Sequence, residues 1–113
     1  MKGLLGLILL ALLAIPCAAD AILVNWDGSG DYTTIQAAID NASDLDIVIV
    51  AEGTYFENIS FGGRDIILTS SDPYDLNVVA ATVIDGGGAD TVATFDGTET
   101  SDCELLGLSL IHI

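Results

Sequence analysis

The stretch Asp27–Asp40, DGSGDYTTIQAAID, sets two aspartates around three small residues and then runs directly into a segment of helical character. An EF-hand-like calcium loop starting at Asp27 needs glycine at its sixth position and a carboxylate at its twelfth, but Tyr32 and Ala38 stand there. A phosphate cradle needs a third glycine after Gly28 and Gly30, where the chain has Thr33, and Asp27 and Asp31 would repel the anion. The helix reading succeeds. Thr33 can accept from the Gln36 backbone and Gln36 can reach back, a capping box. Ile35, Ala38, Ile39 and Ala42 share one face, so the spacing predicts a helix over Thr34–Ala42. So short a helix is unstable alone, because nucleation is costly, and its apolar stripe requires a surface to lie on.

Upstream, Met1 and Lys2 precede the apolar run GLLGLILLALLAI (Gly3–Ile15), too short to span a bilayer comfortably, then Pro16 and the small residues Cys17, Ala18 and Ala19. Residues 1–21 are therefore read as a signal peptide, with cleavage after either Ala19 or Ala21. Lipidation at Cys17 is the weaker alternative, because Pro16 occupies the place that needs a small residue. Beyond the leader about ninety residues remain, enough for one small domain. The whole chain has 17 acidic residues and two basic ones, and Lys2 lies in the leader, which leaves Arg64. Such a surface repels nucleic acid and anionic lipid, so neither nucleic acid nor membrane is expected as a partner of the processed chain. Cys103 has no intrachain disulfide partner once Cys17 departs, and it reads as a small buried hydrophobe.

Downstream, β-like runs begin at Asp46 (DIVIVA), Glu57 (ENISF), Arg64 (RDIILTS), Thr82 (TVIDG), Asp90 (DTVATF) and Cys103 (CELLGLSL). The separators EGTY, GG, SSDPYDLN, GGG and DGTETSD carry turn residues, and helical periodicity is not expected to return. Two architectures accommodate the pattern, an antiparallel sandwich and a parallel solenoid. The amphipathic helix favours the solenoid, whose open end needs a cover.

These residues resemble the right-handed parallel β-helix proteins of the pectin lyase-like superfamily, pectin methylesterases included. The likeness lies in DGSGDYTTIQAAIDNA (Asp27–Ala42), IVIVAEGTYFENISF (Ile47–Phe61), DIILTSS (Asp65–Ser71) and TVIDGGG (Thr82–Gly88). It implies an all-β, right-handed parallel β-helix. Residues 22–45 would form the amino-terminal strand and capping helix, and 46–113 the first coils, truncated. It also implies a secreted or cell-surface parent, with periplasm as another destination, that binds or modifies extracellular polysaccharide. In pectin methylesterases the resemblance implies paired aspartates, an arginine and glutamines in later coils. No Asp-Phe-Ile-Phe-Gly-type segment occurs here, and Arg64 comes too early to match that arginine. The stretch Asn58–Gly88 also resembles repeats of non-catalytic surface or adhesion β-helix proteins, the alternative reading.

No catalytic, cofactor-binding or metal-binding residue is assigned, and no cofactor is expected. The carboxylate pairs Asp72 with Asp75, Asp44 with Asp46, and Asp102 with Glu104 stand in turn signals and read as solvated turn groups. Asp27 and Asp31 read as local turn acceptors. Trp26, Tyr32, Tyr55 and Tyr74 are too scattered for a sugar platform, and Trp26 and Tyr55 are expected to pack in core or turns. The sequons at Asn41 and Asn58 are read as chance, and His112 as a weak metal or base candidate. Leu108–Ile113, LSLIHI, resembles translated sequencing-adapter read-through and carries no functional reading. The oligomeric state is left open.

Overall fold

A computed structural model describes residues 20–88 and 91–111. The expected leader through Ala19 lies outside the described residues, as does His112. The apolar runs become short strands: β1 (Ala21–Val24), β2 (Ile47–Val50), β3 (Gly53–Phe56), β4 (Ile59–Ser60), β5 (Ile67–Ser70), β6 (Thr82–Asp85), β7 (Ala93–Thr94), β8 (Glu104–Leu106) and β9 (Ser109–Ile111). Two helices interrupt them, α1 (Ile35–Asn41) and α2 (Leu76–Ala81).

The strands form three parallel sheets, in the orders β1-β2-β5-β8, β3-β6-β9 and β4-β7. Every pairing between these strands is parallel, which excludes the antiparallel sandwich for the described residues. The order is periodic. β2, β3 and β4 follow one another along the chain, β5, β6 and β7 pair with them in the same sequence, and β8 and β9 begin a third round.

Alternation along each strand decides what is buried. In β2, Val48 and Val50 point inward while Ile47 and Ile49 are only half-buried, so the apolar run is not enclosed on both faces. Register then stacks like on like. Ile22, Val48, Leu68 and Leu105 align across the first sheet, and Tyr55 aligns with Ile84 in the second. Ile59 and Phe61 complete the core beside the third sheet, where the Phe61 ring stacks on Phe95 with centroids 4.6 Å apart.

Three expectations need correction. The separator EGTY (Glu52–Tyr55) lies largely within strand β3, Gly53–Phe56. Its Tyr55 is buried among core side chains, and a Gly-Thr pair at the strand's start hides the alternation. Helical structure does return in α2, where Asp75 accepts from the Asn77 backbone at 2.9 Å and starts a single short helix. The run CELLGLSL splits into β8 and β9 at Gly107, which has φ 60° and lies so close to Pro73 that a Cβ would fall 2.4 Å from its Cα.

Candidate functional site

Helix α1 organises the most elaborate polar cluster near the amino-terminal side. Its buried residues are Ile35, Ala38 and Ile39, and Ala42 just beyond it is buried too, as its spacing predicts. The cap, however, differs from the expected box. Thr34 rather than Thr33 is the N-cap, its Oγ1 accepting from Ala37 at 3.3 Å. The first orphan donors are served from a distant part of the chain: the Glu57 carboxylate accepts from the Ile35 and Gln36 backbone at 2.8 and 3.0 Å.

Gln36 is thereby free for another task. Its side-chain amide pairs with the backbone of Ser60 in both directions, accepting from Ser60 N at 2.8 Å and donating to Ser60 O at 3.0 Å. The pair covers β4 with a side chain that imitates a neighbouring strand. One layer on, Asn58 Nδ2 donates to the carbonyls of Gly86 and Thr91 at 3.1 and 3.0 Å and ties the first round of strands to the second. Sequence reasoning assigned no part to Glu57 or Asn58. The signal for Glu57 was indirect, since the bare N–H groups of α1 required an acceptor from somewhere.

A surface cavity of about 540 Å³ opens beside α1 and β1, lined by Asp20, Asp31, Tyr32, Asn41, Ser43 and Asp46 among others. Two of these three carboxylates, Asp31 and Asp46, are already engaged. Asp31 accepts from Leu23 at 2.9 Å, while Asp46 accepts from Asp20 at 3.0 Å through one oxygen and from Ser43 at 2.9 Å through the other. Asp46 is only 6% exposed, which corrects its reading as a solvated turn group: both oxygens replace water with backbone donors.

The remaining candidates are dispersed. Asp44 accepts from Asp65 N, Asp72 from Tyr74 N, and Asp75 caps α2. Asp102 and Glu104 are exposed at the start of β8. Asp27 accepts from Ser29 at 2.8 Å, and its hydrogen bonds to the Ser29 side chain and backbone hold its pKa below the ordinary value. Asp27 is thus the local turn acceptor the sequence predicts, whereas Asp31 accepts from Leu23 in strand β1, eight residues earlier, and not within its own turn. Tyr55 is buried at 4% exposure and donates to Ala51 O, and burial pushes its phenol up. Trp26 is 61% exposed, yet its indole donates to Glu52 O and its ring covers Gly53, so it packs on a turn and not in the core. Tyr74 is exposed in its own turn, and the four aromatics form no common platform. Cys103 is partly buried, and desolvation raises its thiol pKa.

Glu99 is the second carboxylate hub. Desolvation pushes its pKa up, but backbone donors of Asp96, Gly63 and Gly97 outweigh it and hold the group at about 2. Among the described residues no three His, Cys, Asp or Glu side chains are disposed to hold a metal ion. No described helix is long and apolar enough to cross a membrane. What these carboxylates do chemically is accept backbone N–H groups that loops and helix ends leave unpaired.

No family model matches the chain, and no solved structure matches it. The chain is similar to a protein of Ficus pumila var. awkeotsang described as pectinesterase/pectinesterase inhibitor. The two are 34% identical over 82 residues, covering 66% of this chain and 14% of the relative. This chain therefore spans about one seventh of that relative's length, and the likeness reaches a pectin-related protein and no further.

Proposed function

We propose that residues 22–45 are the amino-terminal strand and cap, and residues 46–113 the first coils, of a right-handed parallel β-helix exported to the cell exterior. In this reading the whole protein binds or modifies pectin-like polysaccharide, with a pectin methylesterase-type carbohydrate esterase as the enzyme class. The observation that carries it is the recurrence of β2, β3 and β4 as β5, β6 and β7 in parallel register. Parallel crossovers are right-handed in nearly every known case. The likeness to the Ficus protein supplies the substrate class. The net charge of −15 adds a preference, because de-esterified pectin is itself polyanionic and methyl-esterified pectin is neutral.

The test is affinity electrophoresis of the complete secreted protein through gels holding methyl-esterified pectin, polygalacturonate or dextran, with methanol release measured alongside. Retardation by methyl-esterified pectin above dextran is expected. Mobility unchanged by either pectin would overturn the polysaccharide reading.

A further inference from the structure

The leader pattern permits cleavage after Ala19 or after Ala21, since a small residue stands two positions before each. The fold distinguishes them. Asp20 is bound on both sides of its peptide unit: its N donates to Asp46 Oδ1 at 3.0 Å, and its carbonyl accepts from Ile47 N at 2.9 Å. The next residue, Ala21, is the first of β1 and pairs with Ile47. Cleavage after Ala21 would delete that pair, strip Ile47 N of its acceptor and leave one oxygen of a nearly buried carboxylate bare. Cleavage after Ala19 preserves all three.

We propose that the Ala19–Asp20 peptide bond is the one hydrolysed when the leader is removed, and that the new amino terminus is locked against Asp46. The proposal rests on the export reading. In the step, an endopeptidase adds water across the bond. The Ala19 carbonyl carbon takes the hydroxyl and leaves as a carboxylate, while the Asp20 nitrogen takes up protons and becomes an ammonium. A neutral donor to Asp46 is thereby replaced by a charged one, and hydrogen bonds between two ions are the stronger kind. Asp46 gains a counterion where the fold otherwise offers only backbone N–H groups, and Asp31 and the Asp20 side chain line the same cavity with further negative charge. Processing then does more than release the chain, because it turns the donor that anchors the start of the first strand into an ion.

The full chain, expressed with its own leader in a bacterium, is recovered from outside the cytoplasm and its mass and amino-terminal sequence are determined. A product beginning at Asp20 is expected. One beginning at Ile22 would overturn the proposal and leave export standing, whereas a product that retains Met1 and stays in the cytoplasm would overturn both. The lock is tested on the Asp20 form by acetylating its α-amino group, which should lower the melting temperature by about 4–8 °C. In Asp46→Asn the same acetylation should shift it by less than about half as much. Unchanged melting on acetylation of the wild-type chain would overturn the lock without depending on how well the variant folds.

Discussion

Helices α1 and α2 are nearly the same length and both begin at a residue whose side chain caps the first turn, yet they stand in opposite relations to the rest of the molecule. Helix α1 buries Ile35, Ala38 and Ile39, takes its end donors to Glu57 and sends Gln36 to Ser60. Helix α2 buries no residue, and its Leu76 is 82% exposed. It is held by the Asp75 cap, by Thr82 Oγ1 donating to Val78 O and by Ser109 Oγ donating to Val79 O. Neither is long enough to persist alone. The difference teaches that α1 is a part of the core with helical geometry, whereas α2 is a turn of the chain wound into a helix.

The contrast breaks most visibly at Ile39. Ile39→Asp sets an unpaired carboxylate in a fully buried apolar site and should cost about 3–5 kcal/mol, read as the loss of unfolding free energy in a urea titration of the processed chain. A cost below about 1 kcal/mol would mean that α1 is not seated on the core.

Removing the distant cap is the next test. Glu57→Ala leaves the Ile35 and Gln36 donors without their carboxylate and should cost about 1–2 kcal/mol. The same urea titration measures it.

Glu99 sharpens the comparison by pH, because it performs for the Asp96–Glu99 loop what Glu57 performs for α1. Its folded pKa of about 2 lies below the ordinary 4.5, so its contribution is complete above about pH 4.5 and is lost as pH falls toward 2. Glu99→Gln should therefore lower the neutral plateau of a melting-temperature profile and leave its low-pH end nearly unchanged, which flattens part of the acid limb between those values. An acid limb identical to wild type would assign the acid response to other carboxylates.

The smallest effect belongs to α2. Leu76→Asp changes an exposed side chain at a helix start and should alter stability by no more than about 0.5 kcal/mol by urea titration.

Legibility follows the same division. The face of α1 was readable because Ile35, Ala38, Ile39 and Ala42 repeat at helical spacing, and the runs at Ile47, Ile59, Ile67, Thr82 and Ala93 were readable from apolar residues bounded by turn residues. Helix α2 was not, since Asp-Pro-Tyr-Asp is a strong turn signal and no apolar face follows to outweigh it. Strand β3 was hidden behind Gly53. The capping residue was displaced by one because Thr33 and Thr34 both suit the position, and the choice was made by Glu57, 22 residues beyond Ile35. In the candidate site the sequence located Asp46 in a turn but could not reveal its burial, which arises from its contact with Asp20 across 26 residues.

Native-state hydrogen exchange tests the seating of α1 most directly, through the amides of Ala38 and Ser60. Ser60 N–H is held by the Gln36 side chain and Ala38 N–H lies within the buried helix, so both should exchange with the free energy of the strand amides Ile49 and Thr69. The amide of Val79 in α2 should exchange earlier, through local opening. Early exchange of Ala38 and Ser60, while Ile49 and Thr69 remain protected, would contradict the account and make α1 a loose appendage.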